Sequence, residues 1–293
     1  MLPVNEVKTM KYTNYHTHTP RCQHARGSEE EYVKAAIGNG YAVMGFADHS
    51  PWPYKSDYVS YMRMRLSEFD SYEKTVRALG EKYKEQISVP LGLECEAFPE
   101  YYGWLRDFKA EHLDYVILGN HYDYSDEFNP DNGLPIDSPH GFYFGHAATA
   151  RESYRYAERT IDGMKQEGLY DYLAHPDLFL FAYPTFDKDA EMISRDILSA
   201  AEETGLPIEY NLNGALRSEG GRVPGQGYPC RRFWEIASEY KVKAIVGLDA
   251  HQPEAISRTD LYEKAYKEFE ELKIPYITEI PLKKIKATRS SPA

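Results

Sequence analysis

Short, nearly continuous apolar runs alternate along this chain with longer stretches in which apolar side chains return every three or four positions. The runs at 41–47, 89–93, 114–119, 170–174, 207–210 and 242–248 read as strands buried on both faces. A shorter opening run ends at His16 and His18. The intervening stretches predict helices. Ser28 caps the first, with Glu29, Glu30 and Glu31 in its first turn, and Gly38-Asn39-Gly40 ends it. Further helices are expected near 66–86, 101–112, 146–167, 187–203, 231–240 and 258–272. Alternating β and α units with apolar strands imply a parallel sheet covered by helices. Seven such units favour closure into an α/β barrel over an open sheet.

The apolar runs stop on polar residues of one kind. His16 and His18 are two apart, so on an extended strand both rings leave the same face. Pro20 stops that strand and lets the chain bring His24 back toward them. The later strands end at Asp48-His49, Glu94, Asn120-His121, His175, Asn211 and Asp249-Ala-His251. Barrel enzymes build their chemistry at the C-terminal ends of strands. Seven of the ten histidines fall in this set, which leaves His112, His140 and His146 elsewhere.

Imidazole and carboxylate are ligands for Zn²⁺, Mn²⁺ or Fe. Nine of them, namely His16, His18, His24, His49, Glu94, His121, His175, Asp249 and His251, exceed the needs of one tetrahedral ion and suit a cluster of two or three. Multinuclear clusters of this kind hydrolyse phosphate esters, with a carboxylate such as Glu94 bridging the cations.

Composition narrows the partners. A net charge of −12, from 46 acidic and 34 basic residues, argues against a protein that tracks a phosphate backbone. Cys22, Cys95 and Cys230 are too few and too scattered for a disulfide framework and fit reduced, buried thiols. No apolar run approaches the roughly 20 residues of a membrane span, and the first residues lack the apolar core of a signal peptide. These features predict a soluble, cytoplasmic protein.

His-x-His after strand one, Asp-His after strand two, Gly-Leu-Glu after strand three, single histidines after strands four and five, and Asp-x-His after strand seven resemble the polymerase and histidinol phosphatase (PHP) superfamily. The likeness covers almost the whole chain, in order. It implies one domain over 1–293, folded as a distorted (β/α)7 TIM-like barrel that holds three divalent metal ions. His16, His18, Glu94 and Asp249 would hold the first ion. Glu94, His121 and His175 would hold the second, and His24, His49 and His251 the third.

The segment Tyr61-Met-Arg63-Met-Arg65-Leu is similar to the histidinol-phosphatase branch of that superfamily. So are Asp137-Ser-Pro139, the stretch from Asn211 to Arg217, and Tyr228-Pro229. That likeness implies hydrolysis of L-histidinol phosphate. The other substrates to weigh are another small phosphate ester, a phosphotyrosine protein and a nucleic-acid end. Arg217 resembles a phosphate-binding arginine. One departure stands out: family members commonly carry a basic residue shortly after the His-Pro-Asp of strand five, where this chain has Leu178-Phe-Leu-Phe181.

Several residues carry two readings. Asp48 is either a general acid to the leaving group or the partner that orients a ligand histidine, and Glu94 and Asp249 are the other carboxylates assigned to catalysis. Asn211 and Asn213 share a strand face at the mouth, where Asn213 would touch substrate or cap a loop. Glu96 is expected beside a ligand rather than on a metal. Trp52, Tyr54, Tyr58 and Tyr61 either anchor a loop or form a flat wall for an imidazole ring. The long loop at 122–144 is expected to act as a lid.

Overall fold

The structure, a computed structural model, describes residues 12–55, 57–125 and 142–282. Its strands are β1 (Tyr12–Asn14), β2 (Tyr41–Met44), β3 (Phe46–His49), β4 (Leu91–Cys95), β5 (Tyr115–Leu118), β6 (Tyr172–Leu173), β7 (Ile208–Asn211) and β8 (Ala244–Gly247). The helices are α1 (Glu29–Gly38), α2 (Phe69–Tyr83), α3 (Tyr102–His112), α4 (Ala150–Met164), α5 (Lys188–Thr204), α6 (Leu212–Glu219), α7 (Arg231–Ala237) and α8 (Thr259–Leu272).

β3 to β8 form one parallel sheet in chain order, and β1 pairs in parallel with β2. β2 and β3 are one predicted strand broken at Gly45, where a β-carbon would meet the Tyr115 hydroxyl. With that break, the architecture is the expected seven-position α/β barrel. Its seam is the histidine-bearing segment. Gly45 and Ala47 donate their N–H groups to the carbonyls of Asn14 and Thr17 on one side, and His18 donates to Ala250 on the other. The buried Asn14 side chain accepts the Leu248 N–H at 2.9 Å and ties the first strand position to the last.

The core divides as period-2 strands buried on both faces require. Leu91, Leu93, Val116, Leu118, Ile208, Ala244 and Val246 face outward into the helical layer. Val43, Ala47, Tyr115, Ile117, Tyr172, Ala174 and Ile245 form a separate inner cluster with Tyr15 and Ile280. The inner cluster plugs the lumen, so polar inward residues farther along the same strands collect above it. Helices cover the outside along predicted stripes, such as Phe69, Tyr72, Val76 and Leu79 of α2. Ser28 makes the expected capping box with Glu31.

Several boundaries differ from expectation. The helix predicted from 146 begins at Ala150, because Thr149 is the residue whose side chain caps it, and Phe144–His146 is a separate 3-10 turn. Asn213 does not share a strand face with Asn211. Asn211 ends β7 and caps α6, accepting the Gly214 N–H at 2.9 Å, so Asn213 lies in the first turn of a helix. Asp137, Ser138, Pro139 and His140 lie outside the described residues, as does most of the 122–144 loop expected to be a lid. No helix among the described residues is long and apolar enough to cross a membrane.

Candidate active site

The strand ends converge as a barrel requires. The segment from Asn14 to His18 is clamped between neighbours, so both of its imidazoles point into the mouth. The 3-10 turn Pro20–Cys22 follows, and Gln23, in the left-handed region at φ 68°, turns the chain back. His24 then donates from Nδ1 to the Cys22 carbonyl at 2.7 Å. Its Nε2 faces His251 Nε2 at 3.0 Å, and His251 Nδ1 lies 2.9 Å from the Asp249 carbonyl. Residues 24 and 251, far apart in the chain, thus present their ring nitrogens to one point.

Glu94 is the hub. One oxygen lies 3.3 Å from His16 Nε2, 3.5 Å from His18 Nε2 and 3.1 Å from His49 Nδ1. The other lies 2.8 Å from His175 Nε2 and 3.5 Å from His121 Nε2. Asp249 Oδ1 is 3.1 Å from His18 Nε2 and 3.7 Å from His16 Nε2. All nine expected ligands therefore meet in one cluster. His175 and Asp249 both sit at positive φ, 29° and 48°, a strain of about 1–3 kcal/mol each that the surrounding structure holds.

The donor set fits cations. His16 Nε2, His18 Nε2, His49 Nδ1 and Glu94 Oε2 are buried and lack a hydrogen-bond partner. Both His24 and His251 have Nδ1 engaged by a carbonyl, which leaves two lone pairs facing each other, an arrangement that a cation between them would relieve. Ligand atoms of His16, His18 and Asp249 lie within 4.8 Å of one another, as do those of His49, Glu94 and His121, and those of His18, His49 and His251. His24 and His251 group in the same way with Cys22, a thiol whose sequence context predicts only burial.

Charge is partitioned within the cluster. Burial pulls His251 down to about 3, reinforced by the neighbouring His18 cation. His49 is lowered well below its ordinary value for the same reasons. Burial also opposes charge on His18, but the adjoining carboxylates of Asp249 and Asp48 outweigh it and raise that ring to about 9. Glu94 and Asp249 stay well below the usual carboxylate range, because the surrounding imidazoles overcome their burial.

Asp48 sits behind this layer. One oxygen accepts the Thr19 N–H at 3.1 Å and its hydroxyl, and the other accepts the His49 N–H at 2.9 Å and lies 3.4 Å from His18 Nδ1. Glu96 pairs with Arg63 at 2.9 Å and accepts the Trp52 indole N–H at 2.9 Å, with His121 Nδ1 3.5 Å away. Trp52 is buried against Tyr101 and serves as an anchor, while Tyr54 and Tyr58 line a separate groove. Tyr61 projects outward at 84% exposure, and its neighbour Met62 reaches the mouth instead.

A cavity of about 330 Å³ opens over the cluster. Arg217 and Asn213 line it, as expected for substrate contacts. Asn213 donates to Asp249 Oδ2 at 3.0 Å. Arg217 packs over the Phe181 ring at 5.7 Å and makes no ion pair among the described residues. The apolar 178–181 segment therefore supports the guanidinium at the place where a second basic residue was expected.

Part of the wall is not marked by strand ends. His146 falls outside the strand-end set, yet it lines the cavity with Tyr122, Tyr143, Leu178 and Tyr228. These residues come from a loop and from turns whose approach depends on tertiary packing, and no strand-end rule marks them. Glu209, fully buried, was also passed over. A carboxylate within the otherwise apolar 207–210 run was the available signal.

Comparison with known proteins agrees with this geometry. The PHP domain family model matches residues 14–213. A Deinococcus radiodurans protein named "Probable histidinol-phosphatase" is 28% identical over 81% of this chain and 85% of its own length. The histidinol-phosphatase of Bacillus subtilis is 23% identical over 83% of this chain and 94% of its own. The crystal structure of histidinol phosphate phosphatase from Lactococcus lactis, complexed with zinc, L-histidinol and phosphate, has a TM-score of 0.65. It is 17% identical, over 94% of this chain and 99% of that one. With the barrel, the strand-end ligands and the family match in hand, this chain belongs to the PHP domain family.

Proposed function

We propose that this chain is a cytoplasmic, metal-dependent phosphomonoesterase that hydrolyses L-histidinol phosphate to L-histidinol and phosphate. The observation that carries the reading is one juxtaposition. A buried carboxylate contacted by five imidazoles lies beneath the same cavity that holds an arginine without an acidic partner among the described residues. Support for the substrate comes from the names of the relatives, which this chain matches over most of their length. The cavity volume of about 330 Å³ suits a small ester. Three unpaired buried thiols accord with a reducing compartment.

Three divalent ions, of Zn²⁺, Mn²⁺ or Fe²⁺, fit the donor set. His16, His18, Glu94 and Asp249 would hold one, Glu94, His121 and His175 a second, and His24, His49 and His251 a third. Such ions, when bound, polarise the phosphoryl group and acidify the attacking water. The chain's own residues do the rest. Arg217 offers a planar fork to the phosphoryl dianion, and the Phe181 face behind it restricts its swing. Asn211 and Asn213 hold Asp249 toward the cluster with hydrogen bonds to Oδ2. Tyr122, Tyr143, Tyr228 and His146 flank the space for the leaving group. Asp48 orients His18 rather than serving as acid, because both of its oxygens are engaged behind the ligands. Solvent then protonates the departing alkoxide.

The test is a metal-supplemented activity panel covering histidinol phosphate, an aryl phosphate, nucleotides, a phosphotyrosine peptide and single-stranded DNA. The reading expects chelator-sensitive hydrolysis with histidinol phosphate leading in kcat/KM by at least about tenfold. A higher kcat/KM for any other member would overturn the substrate, and turnover in stripped enzyme would overturn the metal dependence.

A further inference from the structure

Beneath the ligand layer lies a carboxylate to which no role has been assigned. Glu209 is the second residue of β7, faces the lumen and is fully buried. Its Oε1 lies 2.8 Å from His16 Nδ1. Its Oε2 accepts the backbone N–H of His175 at 3.2 Å and the Asn211 side-chain amide at 3.0 Å. The same Asn211 amide reaches Asp249 Oδ2 at 3.3 Å. One side chain thus touches a ligand after the first strand position and another after β6, and reaches a third, after β8, through Asn211. Room for it comes from Gly247 in the neighbouring strand, where any β-carbon would overlap the carboxylate.

We infer that Glu209 is a positioning residue that presets His16, His175 and Asp249 for cation binding. Hydrogen-bond polarity sets this role. Three donors converge on Glu209, and an acceptor-only group is the side chain that satisfies all three. Because that acceptor meets Nδ1, His16 carries its proton there and presents the Nε2 lone pair toward Glu94 and Asp249. His16 Nε2 is one of the buried atoms lacking a protein partner. The bond to the His175 N–H also holds the backbone at a residue whose φ is 29°, where the peptide would otherwise relax away from the cluster. Glutamine at 209 would turn an N–H₂ group toward at least one of the three donors.

This inference rests on the cations proposed above, and the experiment separates the two. Metal-stripped wild type and Glu209→Gln are titrated with Zn²⁺ and with Mn²⁺ against a competing chelator. The tautomer of His16 is read by ¹⁵N NMR, and melting is followed with and without metal. Partners of this kind contribute about 10–100-fold to metal affinity. We expect a loss of that size in Glu209→Gln, a smaller metal-induced rise in Tm, and loss of the Nδ1–H form of His16. Excess metal restores kcat, and KM is unchanged. Glu209→Asp, which keeps an acceptor-only group on a shorter arm, should fall between the two, and it supplies the reading if Glu209→Gln does not fold. Wild-type affinity in the variants, or an equal loss of Tm with and without metal, overturns the inference. Failure of the wild type to bind either metal overturns the cation reading instead.

Discussion

The carboxylate of Glu94 occupies the space that a side chain at Gly119 would need. A β-carbon placed on residue 119 runs into the Glu94 side chain. The hub therefore depends on the neighbouring strand end having no side chain. Gly119→Ala is expected to displace Glu94 and destabilise the fold by about 1–3 kcal/mol, the usual cost of overpacking. Denaturant unfolding and bound-metal content check it, and both should fall together.

Glu94 lies within 3.5 Å of five imidazoles, so its loss would remove the residue proposed to ligate two of the three ions. Glu94→Ala should lower activity by at least about 10²-fold and release metal while far-UV circular dichroism stays that of the barrel. Elemental analysis beside the activity assay decides it. Retained turnover in metal-free Glu94→Ala would refute the mechanism.

In the proposed function, Arg217, which lines the cavity, would bind the phosphoryl group with two parallel donors. Arg217→Lys keeps the charge and loses the fork, so a rise in KM of about tenfold is expected, with weaker inhibition by inorganic phosphate. Arg217→Ala should do more, while metal content is unchanged.

Asp48 offers a test between its two roles. As an orienting group for His18, its change to Asn should weaken metal binding by about 10–100-fold and slow aryl and alkyl phosphates alike. As a general acid it would spare the aryl ester, whose leaving group needs no proton. Parallel kinetics on the two substrates at saturating metal distinguish them, and we expect equal loss.

The metal-free protein should be most stable near neutral pH. His251 has its ordinary value of 6.5 lowered to about 3 in the fold, so unfolding takes up a proton between those limits. Stability therefore falls as pH drops through that window, by on the order of 5 kcal/mol when the whole window is crossed. His18, raised from 6.5 to about 9, acts oppositely: its contribution is complete below 6.5 and is lost as pH rises through 9. Chemical denaturation of stripped protein at several pH values should show both limbs, and His251→Gln should flatten the acid one.

The sequence by itself determined the strands, their order, and the histidines and acids at their ends. A strand buried on both faces must be apolar, so Glu94, His121, His175 and Asp249 stood out as the residues that end such runs. Periodicity likewise marked the covering helices. Tertiary structure decided what local pattern does not encode. Asn213 left the strand for a helix because Asn211 capped it, and Asp48 turned behind His18 because Thr19 and the His49 amide claimed its oxygens. His146 and Tyr143 reached the cavity through a turn, and Glu209 acquired partners from segments some 34 and 193 residues away. Side-chain chemistry and period are properties of neighbours along the chain. Which donors meet which acceptors depends on closing the barrel, and that closure brings His16 beside Glu209.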